Sequence, residues 1–328
     1  MRVRTQVRDL PLTELGLGTA QLGNLYRETT PEQADSAIEQ AWSDGIRYFD
    51  TAPHYGLGLS ERRVGAALQN RPRDEFAIST KVGRILEPSP STADQLDDQG
   101  FAVPAATVRR WDFSRDGVLR SIEESLERTG LARFDVVYLH DPDDFWEQAS
   151  TAGIGALIEL REQGVVGAVG AGMNHSAPLA ELIRKADVDL VMMAGEMTLL
   201  EHSALDDLLP LALERGVGVV AAGVYNSGIL AKARPEAQAK FNYEDAASET
   251  IVRANQIADV CERYGVALPE AAVAYPLLHP AVVSVVLGAR DAAQVSSNVQ
   301  RYSATIPSEL WAELHSLGFI PHLITAES

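Results

Sequence analysis

One cysteine, Cys261, stands in the whole 328-residue chain, so no internal disulfide framework holds the fold together and the chain suits a reducing cytosol. Positive charge is scarce: 28 lysines and arginines face 46 aspartates and glutamates, a net charge of −18. That balance argues against nucleic acid and against anionic membrane surfaces as partners. No apolar run is long enough to span a bilayer, and the opening MRVRTQVRDL has no apolar core of a signal peptide, so a cytoplasmic location is expected. There is no low-complexity tract. Neither a G-x-G-x-x-G turn nor a P-loop occurs, because the glycines of LGLGTAQLG are wrongly spaced, and a Rossmann domain is not how this chain would hold a nucleotide.

What is present is a regular alternation of elements. Strands are predicted at 15–19, 46–50, 76–81, 134–140, 165–170, 188–193, 217–222 and 282–287. Helices are predicted between and after them at 32–44, 60–69, 114–129, 155–163, 178–185, 204–215, 248–264 and 292–301. The first helix has Thr30 as N-cap, Pro31 at its first position, and Ala34, Ala37, Ile38, Ala41 and Trp42 at helical spacing. Runs such as VVSVVL and GVGVVAA are continuously apolar, as parallel strands buried on both faces require.

Eight β/α units in one chain predict a (β/α)8 TIM barrel as a single domain over 1–328, with a small hairpin at 1–12 and the active site at the C-terminal face of the strands. Two connections, 83–113 and 223–247, follow strand C-terminal ends and are candidate lids. Disorder is the competing reading for EPSPSTADQLDDQG at 87–100.

The strand ends carry the chemistry. RYFDTAPHYG places Asp50, His54 and Tyr55 after the second strand, ISTKVG ends the third in Lys81, and VVYLHDPDD ends the fourth in His140. A barrel gathers such ends around one rim. A charged lysine beside a tyrosine favours the phenolate and pulls its pKa down, an aspartate keeps the lysine charged, and a histidine bonds the reacting oxygen or relays a proton. The set suits moving a proton on or off an oxygen while another group moves a hydride. Taken singly, Lys81 reads as a rim lysine, Asp50 as a turn cap and His140 as a satisfied barrel histidine. His140 with Asp141, Asp143 and Asp144 reads as a solvated loop, and no metal is expected. Cys261 shares an apolar helical stripe with Ile251, Ala254, Ile257 and Ala258 and reads as core.

On these motifs the chain resembles the aldo-keto reductases over essentially its full length, with FDTAPHYG, STKVG and YLHDP in the family's order. The resemblance implies Tyr55 as general acid or base, Lys81 and His140 as its tuners, and Asp50 as partner of the lysine. It also implies NADP or NAD lying across the barrel mouth. Gly18, Thr19 and Asp50 would line the nicotinamide end and Asn174 its carboxamide. Asn226, Ser227, Gly228 and Leu230 would wrap the pyrophosphate, and Gly288, Arg290, Gln294 and Asn298 would hold the adenosine end. Ala194 and Ala222 stand where many relatives carry a glutamine and a stacking aromatic.

LGLGTAQLGNLY, GVYNSGIL with FNYEDA, and YPLLHPAVVSVVLGARD are similar to the sugar-oxidising branch. That branch implies oxidation of an aldose of the L-fucose or D-threo-aldose type at C1 to the lactone, or the reverse carbonyl reduction. Trp111, Asp112, Phe113 and Tyr225 would shape the substrate pocket. A pyridoxal-type dehydrogenase, a general aldehyde reductase and a dinucleotide-binding subunit without turnover are the alternatives.

Overall fold

The computed structural model describes residues 1–4, 7–242 and 244–322, so Tyr243 of FNYEDA, parts of the predicted N-terminal hairpin and the end of the 1–328 span lie outside the described residues. Local rules set the first unit, between β1 (Leu15–Gly18) and β2 (Tyr48–Asp50). The Thr30 side chain accepts from the Gln33 amide while the Gln33 side chain accepts from the Thr30 amide, a reciprocal cap that starts helix α1 (Pro31–Ser43). Ala34, Ala37, Ile38 and Ala41 bury one face of that helix.

The unit recurs through β3 (Ala77–Val82), β4 (Val136–His140), β5 (Ala168–Met173), β6 (Leu190–Ala194), β7 (Gly218–Ala222) and β8 (Val282–Gly288). All eight strands form one closed parallel barrel in which β8 returns to pair with β1. Between and after them run α2 (Leu59–Leu68), α3 (Arg115–Thr129), α4 (Ile154–Glu162), α5 (Ser176–Lys185), α6 (Leu208–Arg215), α7 (Ser248–Arg263), α8 (Leu268–Ala274), α9 (Ala292–Tyr302) and α10 (Ser308–Ser316). Among the described residues no helix is long and apolar enough to cross a membrane.

Three features depart from the sequence reading. β5 starts at Ala168 rather than 165, because Val165 is 42% exposed in a turn that follows Gly164, whose φ is 72°. Helices α8 and α10 lie outside the eight predicted. The stretch 83–113 is neither a simple loop nor shapeless: Arg84–Pro88 and Thr107–Trp111 pair antiparallel into a hairpin above the barrel mouth.

Two apolar layers result. Tyr48, Ala77, Tyr138, Leu190, Met192 and Val220 fill the barrel interior, and Val7 and Leu12 from the N-terminal segment plug its lower end. That segment pairs Val3–Arg4 with Leu12–Thr13, so a hairpin is present there. The closing seam is cross-linked by side chains far apart in the chain: Arg4 donates to the Val282 carbonyl, Ser284 to the Thr13 carbonyl and Tyr302 to Glu14. The outer layer packs helices on the strands and includes the fully buried Cys261, as the stripe predicted.

Gly65 shows how close the helix layer is. A Cβ there would stand 2.0 Å from the Thr129 carbonyl oxygen at the end of α3, and backbone cannot yield cheaply. Gly65→Ala is therefore expected to cost about 1–3 kcal/mol. Gly155→Ala, an exposed helical position with nothing within 4 Å of the new Cβ, should not lower stability. Paired urea unfolding midpoints check both.

Candidate active site

The rim of β1 to β4 brings Asp50, Tyr55, Lys81 and His140 together. Lys81 Nζ lies 2.7 Å from Asp50 Oδ2, 3.1 Å from the Thr51 carbonyl and 2.9 Å from the Tyr55 hydroxyl. The Tyr55 and His140 rings sit edge to face with centroids 5.8 Å apart. Strand register does the placing: Gly18 is level with Asp50, and Lys81 with Tyr138. Below them the Ser79 hydroxyl donates to Asp50 Oδ1 at 2.7 Å and contacts the Tyr48 hydroxyl, which contacts Tyr138 in turn. The turn that carries Tyr55 needs Gly56, whose φ is 64° and whose added Cβ would meet the Gly23 carbonyl oxygen at 2.1 Å.

Burial governs the electrostatics. For Lys81, burial alone would favour loss of its proton, but the charge of Asp50 and the contact with Tyr55 outweigh it, and its pKa lies above the usual 10.5. For Tyr55, burial wins. It pushes the phenol up to about 12 against the pull of Lys81, so the expected depression is not the net result in this site. His140 is held well below the usual imidazole range by burial, then by Arg84 and Lys81. His54, pushed down to about 2 by burial and then by Arg84 and Arg109, is neutral as well.

The hairpin closes one side of this corner. Phe101 is 3% exposed and sits against the His54 ring, with centroids 5.1 Å apart, and near Tyr55 at 6.2 Å. Arg109 holds it there, pairing with Asp97, both side chains only 3% exposed, and donating to the His54 carbonyl at 2.9 Å. Asn24 ties the hairpin lobe to the first loop by donating to the Ala102 carbonyl. Arg84 and Asp141 form a further ion pair beside His140, Nη2 to Oδ2 at 2.7 Å. Sequence reasoning left Arg84 and Arg109 aside; the usable signal for Arg84 was its position directly after a strand end, in TKVGR.

Across the mouth, residues proposed for a dinucleotide form an open strip. Gly18 is half-buried beside the exposed Gly288, its register partner, and Asn174 is exposed just past β5. Asn226, Ser227 and Gly228 take φ values of 41°, 59° and 100° in one tight turn, within which the Asn226 and Gly228 amides donate to the Gly223 and Tyr225 carbonyls. Exposed Gln294 opens α9, whose cap is Asp291. This open, glycine-lined strip lets a ligand approach the backbone closely and fits an extended nucleotide.

Other predicted residues are turned away from the mouth. Leu230 is fully buried, and the Asn226 side chain donates to the Gly195 carbonyl and to Asn242. Thr19 is buried and donates to the Asp50 carbonyl, and Asn298 donates to the Gly288 carbonyl. Arg290 is buried with its guanidinium committed to the Leu25 and Arg27 carbonyls and the Thr29 hydroxyl. Of the pocket residues, Phe113 is fully buried against Gly83 and Asp112 accepts from the amide of Ser114, the N-cap of α3, because each belongs to the base of the hairpin. Trp111 and Tyr225 remain half-buried, Tyr225 with its hydroxyl bonded by Arg301. Ala194 and Ala222 face each other as register partners at the rim.

Residues 14–318 match the Aldo/keto reductase family. The chain belongs to this family. It is an NAD(P)-dependent oxidoreductase, and its barrel is the fold of the aldo-keto reductases. It is 45% identical over 315 residues to a D-threo-aldose 1-dehydrogenase from Pseudomonas sp, covering 95% of this chain and 96% of that one. It is 39% identical to a pyridoxal 4-dehydrogenase from Microbacterium luteolum, covering 95% of each. A solved aldo-keto reductase from Bacillus halodurans in its holo form superposes with a TM-score of 0.75 at 27% identity, covering 97% of this chain and 96% of that one.

Lys81→Met should move the limb of the pH–activity profile that Tyr55 sets to higher pH, since the cation that opposes burial at Tyr55 is gone. It also leaves Asp50 buried without its ion-pair partner, a loss of about 3–5 kcal/mol. Because Lys81 is raised above 10.5, the stability it contributes is complete below that pH and is lost as pH rises through its folded value. Activity profiles carried to pH 12 and urea midpoints read both effects, and an unmoved limb would separate Lys81 from the tyrosine.

Proposed function

We propose that this enzyme oxidises an aldose of the L-fucose or D-threo-aldose type at C1, giving the lactone. The single observation that carries the reading is the Lys81 ammonium, 2% exposed, set between the Asp50 carboxylate and the Tyr55 hydroxyl. Near-full-length similarity to a D-threo-aldose 1-dehydrogenase supports the choice of substrate.

Each residue then has a role. Tyr55, as the phenolate that the Lys81 ammonium stabilises, takes the proton of the C1 hydroxyl and becomes the neutral phenol as the hydride leaves C1. Asp50, fixed by Ser79, keeps Lys81 protonated and aimed. His140, neutral, hydrogen-bonds the reacting oxygen and adds no second positive charge beside Lys81. The oxidised nicotinamide, when bound, supplies the acceptor for the C1 hydride. Gly18, Asn174, Ser227, Gly228, Gly288 and Gln294 would hold it along the open strip, and Phe101 keeps water from the proton-transfer corner. The lone buried cysteine and the acidic surface fit a cytoplasmic setting.

Pyridoxal oxidation is the second reading, favoured by the 39% identity to a pyridoxal 4-dehydrogenase. A panel of aldoses, pyridoxal and simple aldehydes, followed by nicotinamide absorbance, separates the two. Turnover of pyridoxal with no aldose active would overturn the aldose proposal. Tyr55→Phe should lower turnover on the accepted substrate roughly 100-fold or more with nucleotide affinity nearly intact, as expected when proton transfer alone is lost.

The nucleotide choice follows from Arg290. Its donors are spent on the loop before α1, leaving no arginine in LGARDAAQVSSN for a 2′-phosphate, so we propose that the enzyme accepts both NAD and NADP. Arg290→Ala should then weaken the two nucleotides alike in binding titrations. A loss of roughly 10-fold to 100-fold confined to NADP would show the phosphate contact instead.

A further inference from the structure

Arg84 and Asp141 stand in the reacting corner without a part in the proton chemistry. Arg84 is 7% exposed, its guanidinium lies 4.3 Å from the Trp111 ring centroid, and one terminal nitrogen meets Asp141 Oδ2 at 2.7 Å. Its Nε is buried and has no hydrogen-bond partner among the described residues. Asp141 follows His140 directly, with a φ of 41°, a left-handed conformation that costs an aspartate energy and turns its carboxylate back over the strand end. That carboxylate lies 3.5 Å from His140 Nε2 and keeps 29% of its side chain exposed.

A pair that served only to fasten the hairpin would need neither the left-handed backbone at Asp141 nor an open carboxylate. Guanidinium nitrogens only donate and carboxylate oxygens only accept. A hydroxyl does both, so a donor and an acceptor side by side are complementary to it. The place of the pair sets which hydroxyl. His140 and Tyr55 hold the oxygen on the reacting carbon, and the pair lies next to His140, one carbon farther along the substrate.

We propose that Arg84 and Asp141 together bind the hydroxyl on the carbon adjacent to the reacting carbon, so that they are the residues selecting α-hydroxylated substrates. This rests on the reaction proposed above for its placement of the reacting oxygen at Tyr55 and His140. Arg84 donates to that hydroxyl, Asp141 accepts a hydrogen bond from it, and the ion pair between them stays intact. A site built this way discriminates strongly against a substrate lacking the hydroxyl, because its own buried polar groups are then left unpaired.

The test removes the partner from each side. D-arabinose and 2-deoxy-D-ribose differ only in the C2 hydroxyl, so the ratio of their kcat/KM values measures what that hydroxyl contributes. In the unaltered enzyme the ratio should be about 10 to 100, and in Arg84→Met and Asp141→Asn it should fall below about 3. Taking the ratio within each variant cancels any difference in folded fraction, and Asp141→Asn keeps the shape should Arg84→Met fold poorly. An unchanged ratio in both variants overturns the proposal. If no aldose is turned over, the aldose reading fails separately, and reduction of lactaldehyde against propanal, which differ by the same α-hydroxyl, puts the same question to the pair. Equal ratios there in enzyme and variants would overturn it too.

Discussion

An ammonium group taken out of water must be matched or it will shed its proton, and Lys81 at the mouth of this barrel is matched on one side by Asp50. Much of the local architecture follows from that need. Lys81 points inward only because β3 alternates, with Ala77 and Ser79 on the same face and Thr80 turned outward to Glu61 of α2. A slip of one residue would send the ammonium into the helix layer and bring the Thr80–Glu61 pair inside. Asp50 in turn is steadied by Ser79, and Ser79 by the Tyr48 and Tyr138 hydroxyls deeper in the barrel. The polar interior beneath the site is thus a foundation for one charge.

The mouth is asymmetric for a related reason. Over β2 to β4 the hairpin, clamped by the Arg109–Asp97 pair, sets Phe101 against Tyr55 and His54 and lowers the local dielectric. Over β5 to β8 and β1 the rim carries glycines, an exposed asparagine and a turn of left-handed residues, with few bulky side chains. One half is suited to proton chemistry away from water, the other to a long ligand lying close against the backbone.

How much of this could be read from residues alone depended on whether the signal was local. Continuous apolar strands and 3.6-residue periodicity carried the barrel, and the three strand-end motifs carried the corner that Asp50, Tyr55, Lys81 and His140 share. Helix α8 was not visible because five of its residues, Leu268, Pro269, Ala271, Ala272 and Val273, are buried and little polar contrast remains. The strand order 77–82, 84–88, 107–111 hid a hairpin, since its pairing is set by registers such as Leu86 with Arg109 rather than by a tight turn. Arg290 and Phe113 were misjudged as open to ligand because a side chain's direction depends on distant neighbours, here the 21–29 loop and Gly83. The net effect on Tyr55 required knowing how deeply it is buried, which no motif states.

The seam between β8 and β1 bears on how the protein comes to be made. Glu14, Thr13 and Arg4 meet Tyr302, Ser284 and Val282 only when nearly the whole chain exists. A nascent chain leaving the ribosome therefore carries β1 with one edge unpaired until the final β/α unit emerges. During that interval the growing sheet offers an open strand to any neighbour, and the ring closes only once β8 has been made and pairs with β1. Loss of the last strand would leave two raw edges in the ring, so damage near the C-terminus is structurally equivalent to damage at the N-terminus.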